Sequence, residues 1–182
     1  MALRNVRIYG DPVLREKAKP IQAFDDSLRT LVADLYETMA LYNGVGLAAN
    51  QVGVAQRVFV VDVPHEDGTH DRFAVVNPVL TERKGKQKDE EGCLSMPGIA
   101  EEVERALVLR LRGFDEHGQP IDRIVEGFLA RAVQHETDHL DGVLFTDRLS
   151  PLKKQFLRRD LDALARGEVP HGYHPGEPGR SE

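Results

Sequence analysis

The sequence has little of what marks several protein classes. Cys93 is the only cysteine among 182 residues, so an intrachain disulfide is impossible, and a lone thiol fits a reducing compartment. No segment approaches the roughly 18 unbroken apolar residues of a membrane span, so we expect no membrane association. Acidic residues exceed basic ones, 30 against 24, and the net charge of −6 argues against a general nucleic-acid-binding surface.

The N-terminal stretch also lacks an apolar signal segment. Its Asp11 and Glu16 do not fit an acid-poor transit helix, so we expect a cytoplasmic protein. The length suits one catalytic domain, which we place at residues 1–168. Residues 169–182 are rich in Pro and Gly and are predicted to form a mobile tail.

Apolar residues at helical spacing predict three helices. The first spans residues 25–43, begins at Asp25 or Asp26 and stops at Gly44. The second spans residues 127–141 and ends at Gly142. The third spans residues 152–166 and ends at Gly167.

Strands are predicted between the helices from short β-branched and aromatic runs. Two of these runs cover residues 58–63 and 73–76, the second ended by Asn77 and Pro78. Alternation over residues 103–111, followed by a turn at 115–118 and a run at 121–125, predicts a hairpin. The predicted fold class is α+β, with antiparallel sheets around a central helix, the second one.

The second helix contains the sharpest chemical feature, a His-Glu-x-x-His motif at His135, Glu136 and His139. Residues four apart on a helix lie about 40° apart around its axis, so both imidazoles can reach one metal ion. Glu136 is then free to hold a metal-bound water. The alternative is a solvated helix with an incidental histidine pair.

A metal with catalytic function needs a third protein ligand and one open position. Cys93 is the candidate, in a loop reading Glu91-Gly92-Cys93-Leu94-Ser95. A lone cysteine can instead be a small buried apolar residue.

A third segment, Gly44-Val45-Gly46-Leu47-Ala48-Ala49-Asn50-Gln51, follows a helix and is therefore no dinucleotide-binding fingerprint. Its small residues allow another chain to approach the backbone, and Gln51 can offer a side-chain N–H donor. The alternative is a tight helix exit with small packing residues.

Together these three segments resemble the peptide deformylase family. That family has a Gly-φ-Gly-φ-Ala-Ala-x-Gln loop (φ apolar), a Glu-Gly-Cys-Leu-Ser loop and a Gln-His-Glu-x-Asp-His-Leu-x-Gly helix, all present here in that order. The resemblance extends over about residues 3 to 166. Met96 stands where isoleucine is common.

The resemblance implies the reaction and its parts. One divalent metal ion per chain would be held by Cys93, His135 and His139, as Fe(II) in the cell, with Zn(II), Ni(II) or Co(II) as alternatives in purified protein. N-formylmethionyl nascent peptides would be the substrates and formate a product. Glu136 would transfer the proton. Gln51, through its side chain, and Leu94, through its backbone N–H, would stabilise the oxyanion.

Substrate recognition has a basis in helical spacing. Phe128 and Ala132 lie on the His135 side of the second helix and, with Val45 and Leu94, could line a slot for a methionine side chain. The substrate backbone would run beside Gly44, Val45 and Gly46 in strand-like pairing. The alternative for Phe128 and Ala132 is ordinary core packing. Asp138 could support the metal site from behind, or be a surface carboxylate.

Two rival functions share part of this chemistry. A zincin-type endopeptidase would usually take its third ligand from a histidine or glutamate C-terminal to the motif, where His171 and His174 lie in the predicted tail. A structural zinc module would close the fourth position with protein, and no fourth ligand is apparent. Metal content together with formyl-peptide and internal-peptide cleavage would separate the three.

The third helix predicts a contact surface. Leu157, Leu161 and Leu164 form an apolar stripe, and four cations project from the other side: Lys154, Arg158, Arg159 and Arg166. Because a ribosome surface is largely phosphate, this face could hold the protein near nascent chains. The alternative is a solvated face whose charge is offset by Asp160 and Asp162.

Overall fold

This computed structural model describes residues 2–170, which contain three α-helices and seven β-strands. The helices are α1 (Asp26–Leu41), α2 (Gly127–Leu140) and α3 (Pro151–Ala165). All three confirm the predicted positions. The Asp25 side chain caps α1 by accepting from the Leu28 N–H at 3.0 Å. No helix of residues 2–170 is long and apolar enough to cross a membrane.

The larger sheet is antiparallel and has five strands in the order β1-β2-β3-β6-β7. A separate two-stranded ribbon pairs β4 with β5, also antiparallel. The strands are β1 (Gly46–Ala48), β2 (Val58–Pro64), β3 (His70–Lys84), β4 (Gln87–Gly92), β5 (Ala100–Arg105), β6 (Val108–Phe114) and β7 (Pro120–Glu126). These sheets and helices confirm the predicted α+β class.

Strand β2 shows why the large sheet is buried on both faces. Val58 and Val60 pack in the cluster that contains the apolar side of α1. Phe59 and Val61 pack in the other cluster, which contains Leu129 of α2. Alternate side chains of a strand point to opposite faces, so an unbroken apolar run serves both helices. Each such fully buried side chain is worth about 1.5 to 3 kcal/mol.

A third apolar cluster joins α3 to the ribbon. Leu161 and Leu164, two of the three predicted stripe residues, are buried there with Met96 and Val103. Leu157 is partly buried against the same cluster. The predicted stripe is therefore confirmed, and α3 is fixed to the ribbon that carries the cysteine loop.

The strand predicted at residues 73–76 proved too short. Strand β3 continues through Asn77 and Pro78 to Lys84, with a register shift between Val76 and Val79. Asn77 takes a left-handed conformation, with φ 52°, and its side chain bonds the backbone of Ile21 at 2.9 and 2.8 Å. The Asn-Pro pair thus makes a bulge, where proline's missing N–H is tolerated, instead of ending the strand.

The single strand predicted at residues 103–111 was wrong, because β5 and β6 belong to different sheets. At the break, the Gln134 side chain bonds both the N–H and the carbonyl of Ala106, at 3.1 and 3.0 Å. Those backbone groups are therefore not available to a ladder. The hairpin itself is confirmed as β6 and β7, joined by the predicted turn.

The predicted mobile tail lies mostly outside the described residues, which end at Pro170. Its first residue is an exception, because Val169 packs on the third apolar cluster. Pro170 lies so close to the Gly98 backbone that a Cβ added at Gly98 would be 2.9 Å from its Cγ. The mobile tail itself, residues 171–182 of the predicted segment, lies outside the described residues and stays a prediction.

Candidate metal centre and cleft

Three potential metal ligands meet where α2 faces the loop after β4. The Cys93 Sγ lies 3.3 Å from His139 Nε2, which is 3.2 Å from His135 Nε2. A tetrahedral site with Zn–N and Zn–S bonds of ordinary length holds its ligand atoms about 3.3 to 3.8 Å apart. The three side chains therefore fit a tetrahedral metal ion. Among residues 2–170 no other group of His, Cys, Asp and Glu is placed to hold a metal.

The three candidate ligands adjoin a cleft of about 400 Å³. The cleft brings together every other residue predicted for the site: Gly44, Val45, Gly46, Gln51, Leu94, Phe128, Ala132 and Glu136. Cys93 and His135 also line it, whereas His139 is buried. A fourth protein ligand is thus absent from the described residues, and the centre differs from a closed structural zinc site.

Glu136 lies in the cleft wall beside β1. Its carboxylate approaches Gly46 so closely that a Cβ there would be 2.6 Å from Oε1. The other oxygen, Oε2, is buried and has no hydrogen-bond partner among the described residues. Burial raises the pKa of Glu136 to about 7. The side chain can therefore both accept and release a proton near neutral pH.

Gln51 reaches the centre from the short 3-10 helix that follows β1, residues Ala49–Val52. Its Oε1 accepts from the Ala48 backbone N–H at 3.0 Å, which orients the amide. The Nε2 group is therefore directed at Cys93 Sγ, 3.5 Å away, and at Ser95 Oγ, 3.2 Å away. The neighbouring Asn50 bonds the backbone carbonyl of His139 and so ties this helix to α2.

Sequence reasoning missed the buried charges behind the histidines. Glu91, at the inner face of β4, accepts from His135 Nδ1 at 2.8 Å. It also accepts two bonds from Arg105, at 2.9 and 2.8 Å, and one from Arg131, at 2.5 Å. Burial alone would raise the pKa of Glu91, but the bonds from Arg105 and His135 hold it well below its usual range. His135 is therefore oriented by a carboxylate that stays ionised.

Asp138 extends this network and is not a surface carboxylate. It accepts from Arg105 at 2.6 Å and from Arg148 through both oxygens, each at 2.6 Å. The side chain is 13% exposed. This geometry agrees with one of the two predicted alternatives, in which Asp138 supports the metal site from behind. Asp138 does not contact His135 directly, because it bonds Arg105, which bonds Glu91, which in turn bonds His135.

Comparisons with known proteins decide the family. Residues 3–155 match the family model described as polypeptide deformylase. The chain belongs to this family. The peptide deformylase of Alkalilimnicola ehrlichii is 47% identical over 177 residues, which cover 97% of this chain and 99% of that protein.

Solved structures agree with the family assignment. The peptide deformylase of Thermus thermophilus superposes with a TM-score of 0.84 and 42% identity, covering 91% of this chain and 99% of that one. A Met-Ala-Ser-bound peptide deformylase from Acinetobacter baumannii superposes at 0.77 with 34% identity, covering 81% and 99%. This chain is accordingly a metal-dependent hydrolase that removes the N-formyl group from nascent polypeptides.

Proposed function

We propose that Cys93, His135 and His139 hold one divalent metal ion, Fe(II) in the cell, for this deformylation. The support is the ligand spacing of 3.2 to 3.3 Å and the mixed thiolate and imidazole set. That set also accepts Zn(II), Ni(II) or Co(II), which purified protein can contain. The bound ion supplies Lewis acidity and lowers the pKa of a water molecule in the open position.

Glu136 is the proton carrier in this proposal. Glu136 lines the cleft, and its Oε2 has no hydrogen-bond partner among the described residues, so an incoming water or amine is its natural partner. With a pKa of about 7 it takes a proton from the attacking water and returns it to the departing amine. The carboxylate is thereby restored for the next turnover.

Gln51 and Leu94 are the proposed oxyanion donors. The bond between Gln51 Oε1 and the Ala48 N–H keeps Nε2 turned toward the centre before substrate arrives. Preorganised donors of this kind are worth about 3 to 4 kcal/mol of transition-state stabilisation each. The Leu94 backbone N–H follows directly after the cysteine ligand, and its residue lines the same cleft.

The substrate backbone is proposed to lie along β1. This strand is at an edge of its sheet and pairs only with β2 among the described strands, so its outer edge can pair with an extended peptide. Gly44, Val45 and Gly46 border the cleft there, and Phe128 and Ala132 face them from α2 as the methionine slot. A similar enzyme was crystallised with Met-Ala-Ser bound, which supports a short peptide as a ligand of this fold.

The single observation that carries the proposal is that the three candidate ligands lie together beside the cleft that Glu136 lines. Substitution Glu136→Gln keeps size and hydrogen bonding, so metal should stay bound while formyl-Met-peptide turnover falls at least about a hundredfold. Glu66→Gln, at an exposed residue, is the matched control. Turnover of Glu136→Gln within a few-fold of that control would exclude Glu136 from proton transfer. Cleavage of internal peptide bonds would favour an endopeptidase.

We also propose that α3 holds the enzyme near ribosomes, in the cytoplasm. Lys154 and Arg159 are exposed and make no ion pair within residues 2–170, and Arg158 only approaches Asp162, at 3.9 Å. Opposite this face the stripe packs on the third apolar cluster, so the helix itself has a fixed orientation. Phosphate-rich surfaces bind such faces in a salt-dependent way.

The test is co-sedimentation with ribosomes at low and moderate salt. Reversal of both Lys154 and Arg158 to Glu should weaken binding and leave turnover of a short formyl-Met peptide unchanged. The control reverses Lys17 and Arg83, which are exposed elsewhere on the molecule. If wild-type protein does not co-sediment even at low salt, α3 is a structural cap and the proposal is wrong.

A further inference from the structure

Arg131 is a buried cation in the wall of the catalytic cleft. Its side chain is 3% exposed, and its Nη1 donates to Glu91 at 2.5 Å and to the Val103 carbonyl at 2.9 Å. The second terminal nitrogen, Nη2, is buried and finds no acceptor within residues 2–170. Buried guanidinium donors without acceptors are rare, because the lost contact with water is not replaced. A partner from outside the chain would satisfy this donor.

The position of Arg131 on α2 indicates which partner that is. It precedes His135 by four residues and follows Phe128 by three, so the three side chains share one side of the helix. Arg131, Phe128 and Ala132 all line the cleft. Ala132 has a small side chain, which leaves space between the other two. The space proposed for the substrate's first side chain is therefore bordered by a residue with an unpaired donor.

We propose that Arg131 is a specificity-determining residue that selects for sulfur in the side chain of the formylated residue. In this arrangement Nη2–H donates to the methionine thioether, a weak acceptor. Norleucine has the same length with a methylene in place of sulfur, and it would leave the donor unpaired. A site with an unpaired polar group discriminates against the analogue that lacks the partner.

The same geometry extends the substrate class to oxidised chains. Methionine sulfoxide carries an oxygen on sulfur, which is a stronger acceptor than the thioether and is polar enough to be rejected by a purely apolar slot. With Arg131 in the wall, the sulfoxide gains a charge-assisted hydrogen bond. The enzyme should therefore process formyl-methionine sulfoxide as well as formyl-methionine.

The experiment compares three peptides on one metal-loaded preparation: formyl-Met-Ala-Ser, formyl-norleucyl-Ala-Ser and the sulfoxide of the first. Ratios of kcat/KM cancel differences in metal content. Wild type should prefer methionine to norleucine by at least about fivefold and accept the sulfoxide within about fivefold of methionine. This inference rests on the proposed role of the cleft. Absence of turnover with all three peptides would contradict that role, whereas equal turnover of methionine and norleucine contradicts only the selectivity.

Two variants locate the effect. Arg131→Met removes the donor and keeps the side-chain length, while Glu91 retains both bonds from Arg105. Its methionine-to-norleucine ratio should fall to about one, and it should discriminate against the sulfoxide at least about tenfold. Arg148→Met is the control, because Arg148 belongs to the same charged network through Asp138 but does not line the cleft.

The kcat/KM values of Arg148→Met can differ from those of wild type, but its ratios of kcat/KM between the three peptides should equal the wild-type ratios. Wild-type ratios in Arg131→Met would overturn the proposal, as would a wild-type enzyme that excludes the sulfoxide. If Arg131→Met does not fold, the wild-type ratios alone decide.

Discussion

Replacement of Glu91 by Gln tests whether the buried network supports the metal site. The change keeps the side-chain shape but removes the charge that faces Arg105, Arg131 and His135. In the folded protein, three guanidinium groups in this network are offset by two carboxylates, Glu91 and Asp138. The variant leaves one carboxylate for three cations. Arg105 and Arg131 are each 3% exposed, so the imbalance around them lies in the interior, where water screens it least.

The expected loss has two parts. Removal of one partner of a buried ion pair costs about 3 to 5 kcal/mol of unfolding free energy. Loss of the carboxylate behind a ligating histidine lowers metal affinity about 10-fold to 100-fold. Denaturant unfolding in chelator measures the first, and competition with a chelator of known affinity measures the second.

Glu90→Gln is the matched control for this experiment. Glu90 is the adjacent residue of β4, its side chain is exposed, and it makes no ion pair among the described residues. Its substitution should change the unfolding free energy by no more than about 0.5 kcal/mol. If Glu91→Gln equals this control in both stability and metal affinity, the network does not support the centre and the reasoning fails.

Three other predictions concern separate parts of the molecule. Gly46→Ala should reduce kcat/KM at least about tenfold at near-normal stability, because the new methyl group would lie 2.6 Å from Glu136 Oε1. Steady-state kinetics and a thermal melting curve measure the two quantities, and full activity of the variant would contradict the prediction. Burial raises the pKa of Asp34, but the bonds from the Ala2 N–H and Arg4 lower it by more, so the pKa lies below its ordinary value. The ionised form therefore stabilises the fold above about pH 4, and this stabilisation is lost as pH falls through the folded-state pKa. Asp34→Asn should therefore cost about 1.5 to 3 kcal/mol at pH 7 and less below pH 4 in urea unfolding, and a pH-independent difference would refute this. The Fe(II) form should lose activity in aerated buffer faster than the Ni(II) form, through oxidation at Cys93, and equal lifetimes would count against that ligand.

The helices were predictable because local signals define them. Asp25 begins α1 with its side chain, and Gly142 and Gly167 end α2 and α3 in left-handed conformations. Strand limits depend on partners that are distant in sequence. The bulge at Asn77 is held by Ile21, and the break at Ala106 is held by Gln134. Neither contact has a periodic signature in the sequence.

The same distinction explains the site. The two histidines and Glu136 could be proposed as site residues because their chemistry requires particular residues at helical spacing, and Cys93 could be proposed as the only thiol of the chain. Glu91 was not assigned a role because β4 is mostly charged and exposed, and only the register shows which carboxylate faces inward. Arg131 gave no signal at all, since a charged residue on a helix is normally taken to face solvent. Its burial follows from Glu91, which lies 40 positions away along the chain.

The proposed metal ligands would also have a consequence for how the chain folds. Cys93 and His139 are 46 residues apart, and strands β5, β6 and β7 lie wholly between them. A metal ion joining the two residues closes this segment into a ring. The loop-entropy relation for cross-links assigns a ring of that size about 4 kcal/mol of restriction on the unfolded chain. With a metal ion held as proposed, a protein whose only thiol has no disulfide partner would gain through coordination the kind of tether that secreted proteins obtain by oxidation.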